Sequence, residues 1–313
     1  MKLKPMKTKF KSIIPNTYHS FGGVVCAGAV LIVSSTQAQN LFVADGSGHI
    51  YEYTPGGVQS TFASGVQFYS ISTLAFDSAG NLFADEIINN HQLYIYKYTP
   101  GGVQSTFGSS GAFGLAFNSA GDLFEAVDNG NPGSYITKIT PGGSQSTFAS
   151  VSGYPRELAF NSAGDLFVAD GVNSITEITP GGTQSVFASG LSYPYGLAFN
   201  SAGDLFVGNQ GNGTITEITP GGTQSTFASG LGQPDEIAFN SAGNLFVANQ
   251  NAGSIIEITP NGTQSTFASG LFYPYGLAFQ GEALPVPEPS ALGLLAVSIT
   301  ALLIRRRKLS RLA

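Results

Sequence analysis

Oxygen-bearing side chains recur along this chain at a spacing near forty residues. Asp45, Glu86, Asp170, Asn209 and Asn249 fill five of six matching positions, and Val127 fills the other. A hard cation such as Ca2+ takes roughly six to eight oxygen ligands, so five such side chains brought to one opening would suit it. The competing use of the same positions is local, because Asp and Asn close turns by accepting backbone N–H groups. Two aromatic pairs stand out in Tyr193-Pro194-Tyr195 and Tyr273-Pro274-Tyr275. Each offers a flat apolar face with a polar tip, which serves either as a sugar platform or as packing beside the prolines. His49 and His91 are the candidate bases of the body, and neither has an evident partner in the sequence. No set of residues assembles a nucleophile, a base and an oxyanion site.

These positions belong to a repeat, and the repeat predicts what must hold them. One unit, residues 154–192, contains four short strand-like pieces separated by turn residues. The Ala-Phe of the first piece recurs at 75, 116, 159, 198, 238 and 278. The second piece starts at Leu41, Leu82, Leu123, Leu166, Leu205 and Leu245. The third ends at Thr54, Thr99, Thr140, Thr179, Thr219 and Thr259, each followed by proline. The fourth carries Phe62, Phe107, Phe148, Phe187, Phe227 and Phe267. A four-strand unit of this length predicts an all-β, six-bladed β-propeller. The coils of a β-helix, the rival, are shorter and lack four strands. The body begins on a second piece and ends on a first piece, so the terminal strands are expected to pair and close the ring. The second strands are apolar on both faces, which suits sheets sandwiched between neighbours.

Charge is segregated in the same way. Ten of the 13 cations lie in the two tails, and only Lys97, Lys138 and Arg156 lie between them. Residues 39–284 hold 18 acids against those three bases. A body so acidic repels phosphate backbones and argues against nucleic acid as a partner. The sole cysteine, Cys26, excludes an intrachain disulfide.

The tails read as addresses. Residues 1–38 place lysines before a short apolar run and end in Thr36 and Ala38, which suits a signal peptide cleaved after Ala38. An uncleaved anchor is the alternative. At the other end stand Val286, Pro287, Glu288 and Pro289, then the apolar stretch 291–304, then Arg305, Arg306 and Arg307. This tail resembles the PEP-CTERM sorting signal of Gram-negative bacteria. The resemblance implies an exosortase-type sorting enzyme as partner, a transient transmembrane helix in the inner membrane, and export to the surface or extracellular matrix. An ordinary C-terminal anchor is the plainer reading. The expected organisation is thus 1–38 signal peptide, 39–284 propeller and 285–313 sorting signal.

The unit P-x-G-[LI]-A-F-x-x-x-G-[DN]-L-F-V-A-[DN] resembles the NHL repeat and the related gluconolactonase-type hydrolases and streptogramin lyases. In the hydrolases, first-strand positions present oxygens to a divalent metal in the channel. The matching positions here are Ser72, Phe113, Arg156, Tyr195, Asp235 and Tyr275, the expected channel mouth. Only Asp235 is a carboxylate, so the family's metal box is not reproduced. The near-copy blades favour a non-catalytic module that binds an extracellular polysaccharide or surface protein. The second expectation is a degenerate metal-dependent lactonase or lyase.

Overall fold

A computed structural model of the chain describes residues 39–64, 71–88, 92–110, 112–130 and 133–281. The two predicted address segments, with His91 and the motif from Val286 to Arg307, lie outside the described residues. Among the described residues no helix is long and apolar enough to cross a membrane.

The described chain forms six sheets of four antiparallel strands. Blade one contains β1 (Leu41–Asp45), β2 (His49–Tyr53) and β3 (Gln59–Ala63). Blade two contains β4 (Ile71–Phe76), β5 (Leu82–Ile88), β6 (Gln92–Tyr98) and β7 (Gln104–Ser110). Blade three contains β8 (Ala112–Phe117), β9 (Leu123–Val127), β10 (Tyr135–Ile139) and β11 (Gln145–Ser150). Blade four contains β12 (Leu158–Phe160), β13 (Leu166–Ala169), β14 (Ser174–Ile178) and β15 (Gln184–Ser189). Blade five contains β16 (Pro194–Phe199), β17 (Leu205–Asn209), β18 (Thr214–Ile218) and β19 (Gln224–Ala228). Blade six contains β20 (Pro234–Phe239), β21 (Leu245–Asn249), β22 (Ser254–Ile258) and β23 (Gln264–Ser269). The last strand, β24 (Pro274–Phe279), pairs antiparallel with β1, with Leu41 opposite Phe279 and Asp45 opposite Pro274. Blade one is therefore built from both ends of the body, as the split repeat predicts.

Two turn designs repeat. Asn161 Oδ1 accepts the N–H groups of Ala163 and Asp165 at 3.0 and 2.8 Å, and Gly164 takes φ +89°. In the Thr-Pro-Gly-Gly turn, Gly182 at φ +83° donates its N–H to Thr179 O at 2.8 Å. Only glycine takes these left-handed values cheaply.

Phenylalanines lock the sheets together. Phe206 of β17 meets Phe227 of its own blade edge-on at 4.9 Å. It also meets Phe239 of the next blade at 4.9 Å. The same pair of contacts recurs around the ring, and Phe246 with Phe279 joins blade six to blade one. Edge-to-face pairs add about 0.5–1.5 kcal/mol each beyond their buried area. The second strands are buried along their length, while the outer strands expose Gln, Ser and Thr. Even the outer glutamines join blades: Gln184, Gln224 and Gln264 donate to the carbonyls of Ser150, Ser189 and Ser229 at 2.8, 3.1 and 3.1 Å.

Candidate functional site at the channel mouth

The inner strands slip register where they begin. Pro194 pairs with Asn209 but Leu197 pairs with Val207, so Tyr195 and Gly196 together stand against Gly208. The same slip follows Pro234 in β20, Ile71 in β4, Ala112 in β8 and the start of β24. An extra residue breaks the strict in-out alternation of a strand and re-aims the side chains beside it. Successive residues can thus face one space. Asp235 and Glu236 both line a cavity of about 240 Å3, with Glu157, Phe113, Tyr195 and Tyr275. Gln210, Gln233 and Gln250 complete its wall.

Four of the six expected mouth residues therefore meet at one cavity: Phe113, Tyr195, Asp235 and Tyr275. Arg156 packs beside them. Its guanidinium lies 4.5 Å from the Phe113 ring centroid and 5.3 Å from that of Tyr195, and Nη1 is 3.6 Å from Asp128. Ser72 holds the matching register position in β4.

The next position along each inner strand was not anticipated. Around the ring it reads Thr73, Gly114, Glu157, Gly196, Glu236 and Gly276. Glycine alternates with a polar side chain because adjacent inner strands nearly touch. A Cβ on Gly114 would lie 2.1 Å from the carbonyl oxygen of Arg156, and one on Gly196 would lie 2.2 Å from that of Asp235. The space so freed takes the glutamates. Glu157 Oε1 accepts the N–H of Leu158 at 3.0 Å, and its Oε2 accepts the hydroxyl of Thr73, in blade two, at 3.4 Å. Glu236 Oε2 accepts the N–H of Leu277 at 2.8 Å. The signal in the sequence was a charged residue inside an otherwise apolar x-L-A-F strand. Gln210 and Gln250 were also missed. They follow Asn209 and Asn249, and their amides both donate to Asp235 Oδ2, at 3.0 and 3.1 Å.

Burial governs the acid groups. Desolvation pushes Asp235 up to about 8, against the opposing pull of Arg156 and of the Gln210 hydrogen bond. Desolvation also raises Glu157, helped by the charge of Asp235 and opposed by the Leu158, Thr73 and Leu115 hydrogen bonds. Both shifts favour the protonated forms of Asp235 and Glu157, so these carboxyls can donate as well as accept beside the amides.

The second-strand ends lie at the same end of the ring but face local backbone. Asp170 Oδ1 accepts from Val172, Asn173 and Ser174 N–H groups, and its Oδ2 accepts the Ser174 hydroxyl at 2.6 Å. Asp45 Oδ1 accepts from Ser47, and its Oδ2 accepts the N–H of Phe272 at 3.3 Å. Asn209 Oδ1 accepts from Ser192, and Asn249 Oδ1 accepts from Gly232 and Gln233. Glu86 is buried and takes the Tyr98 hydroxyl at 2.5 Å, and desolvation pushes it up to about 7. His49 stacks on Tyr51 and shares a hydrogen bond with the Ser47 hydroxyl at 2.7 Å. Among the described residues no three His, Cys, Asp or Glu side chains gather as a metal-binding group. At the mouth, two amide donors occupy Asp235 and a guanidinium stands nearby, an arrangement that does not fit a divalent cation.

No protein-family model matches the chain, and no curated protein matches it. Solved structures do. A chain of the nidogen/laminin complex superposes with TM-score 0.69 at 18% identity, covering 78% of this chain and 100% of that one. Virginiamycin B lyase from Staphylococcus aureus gives 0.56 at 19%, covering 79% and 92%. A putative gluconolactonase gives 0.58 at 16%, covering 71% and 84%. The likeness is one of fold. Both a binding module and enzymes of the lyase and lactonase kind share it, so function rests on the site.

Proposed function

We propose that the chain is an exported propeller that acts as a non-catalytic binding module, with its ligand seated at the channel mouth. One observation carries this reading. The exposed large aromatics of the described residues are Phe113, Tyr154, Tyr193, Phe272 and Tyr273, and all belong to the mouth end of the ring. The opposite end is built from the Asx-Ser-Ala-Gly and Thr-Pro-Gly-Gly turns, where the larger exposed apolar side chains are Val58 and Val103 and, among the described residues, no aromatic ring is exposed. Apolar rings collected on one face around a polar cavity are the make-up of a binding surface. The tails supply the address: a signal peptide, and a V-P-E-P motif for an exosortase-type enzyme that delivers the propeller to the cell surface or matrix. An extracellular polysaccharide or a surface protein is the partner such an address implies. The test is binding of the purified chain to separated polysaccharide and protein fractions of a bacterial surface. Replacing Tyr195 and Gln210 by alanine should abolish the binding, and replacing Thr219 and Asn261 on the opposite end should not. Equal binding by both variants would overturn the reading.

A second reading draws on the carboxyl pair. Raised acids in a cleft are also how enzymes set general acids and bases. A degenerate lactonase or lyase would then show turnover that Asp235→Asn removes.

A further inference from the structure

We infer that the mouth binds a neutral carbohydrate, with the rings of Tyr193 and Tyr273 as its stacking platforms. This rests on the proposed binding role of the mouth and names the ligand class.

The first observation is backbone strain. Tyr193 and Tyr273 are the two non-glycine residues with positive φ among the described residues, both at +49°. Each precedes a proline, and a bulky side chain rarely adopts such a φ. The conformation is imposed by the backbone. The Tyr193 N–H donates to Val172 O at 3.1 Å, and its carbonyl accepts from Gln210 N at 3.0 Å. The carbonyl of Tyr273 accepts from Gly46 N at 3.1 Å. The repeat itself does not demand this geometry. Blade six carries Gln233 at the same position and blade four Tyr154, both without positive φ. Residues held in a costly conformation persist where surrounding structure fixes them, and they cluster at ligand clamps.

The second observation is exposure. Tyr193 is 59% exposed and Tyr273 44%. The Tyr193 ring packs over Gly211, where an added Cβ would lie 2.7 Å from its Cδ2. The Tyr273 ring is propped edge-on by Phe272 at 4.9 Å. Two rings are thus held at the rim, each about half exposed. Rigid aromatic rings give contact area at low entropic cost, and the C–H face of a sugar ring is their complement.

The third observation is the chemistry of the floor. Gln210, Gln250 and Asp235 form a joined amide–carboxyl cluster, and Tyr195 and Tyr275 stand beside it. Such groups pair with vicinal hydroxyls, each of which both donates and accepts. The cation nearby, Arg156, is turned to Asp128 and covered by Phe113 and Tyr195. Its buried Nε has no hydrogen-bond partner, but Arg156 is not part of the cavity lining, so the lining itself offers no cation to an acidic ligand. At about 240 Å3 the cavity is smaller than the roughly 300–1,000 Å3 clefts of drug-sized ligands. One sugar ring would enter while its neighbours lie on the rim.

The experiment is calorimetric titration of the full-length chain in mild detergent. The probes are gluco-, galacto- and manno-oligosaccharides, an oligogalacturonate and a chitosan oligosaccharide. At least one neutral probe should bind, and the charged ones should bind more weakly. Tyr193→Gly and Tyr273→Gly should each weaken binding about tenfold or more. Their melting temperatures should hold or rise, because glycine accepts positive φ freely. Tyr193→Phe should retain binding. Preference for a charged probe would overturn the inference, as would glycine variants that melt lower yet bind normally, since those rings would then be packing. If no sugar binds but a surface protein is captured in a Tyr195- and Gln210-dependent way, the carbohydrate inference fails and the binding role stands. If those two changes alter no binding, both fail.

Discussion

Glu236 of blade six accepts the backbone N–H of Leu277, in the strand that closes blade one, at 2.8 Å. A side chain of the channel thereby ties the two blades at the seam. The neighbouring Gly276 leaves the room: a Cβ there would stand 3.2 Å from Glu236 Oε2. The residue that gives the mouth one of its acid groups also ties the closing seam.

Glu236→Ala should therefore cost about 1–3 kcal/mol, the penalty for leaving the buried Leu277 N–H without its acceptor. Glu236→Gln keeps an acceptor and should cost less. Urea unfolding of both variants measures the difference. An alanine variant as stable as the parent would show that the seam does not depend on this contact.

Gly196→Ala should be far more damaging than Gly56→Ala. The added methyl of the first meets the Asp235 carbonyl at 2.2 Å, and that of the second meets nothing nearer than 3.9 Å. Overpacking of this kind costs about 1–3 kcal/mol or more, and an unobstructed surface change stays within about 0.5 kcal/mol. Thermal melts of the two variants compare them directly.

The contrast between these glycines shows what the sequence could reveal. The six blades, the strand order within each and the split closure followed from periodic Ala-Phe, Leu-Phe and Thr-Pro, because those residues answer to local turn and packing rules. Phe113, Tyr195, Asp235 and Tyr275 were placed at one mouth by their shared register. Glu236 was not, since its facing follows a one-residue slip in the β20–β21 ladder, and Glu157 was not, since it lies just before β12. Gln210 and Gln250 lie just past the ends of β17 and β21, in the blade beside Asp235 and in its own blade, where no strand periodicity marks the direction of a side chain.

Stability should fall as pH rises from about 4 to about 8. The folded Asp235 holds its proton up to about 8, whereas the unfolded residue releases it near 3.9. Below that window both states are protonated and the group does not oppose folding. Within it the unfolded chain ionises and gains, by up to about 1.4 kcal/mol per pH unit for one group. Glu86, raised to about 7, adds in the same direction. Unfolding measured across this range should show a shallower slope for Asp235→Asn. Parallel slopes in variant and parent would mean that Asp235 ionises in the folded protein much as in water.

Export has its own test. Replacing Pro287 and Pro289 by alanine should trap the chain as a membrane precursor in a host that carries an exosortase-type enzyme. Fractionation and mass measurement of the released form report the outcome. Unchanged release would reduce the C-terminal motif to a plain anchor.

The central claim is that the mouth, and not the turn face, is where this propeller meets its partner. Amide hydrogen exchange of the chain, with and without the surface fraction it binds, tests this most directly. The account predicts slowed exchange in the loops around 152–156, 191–196 and 271–276, with the Thr-Pro-Gly-Gly turns unchanged. Protection confined to those turns or to the outer Gln-Ser-Thr strands, with the mouth loops exchanging as before, would contradict it.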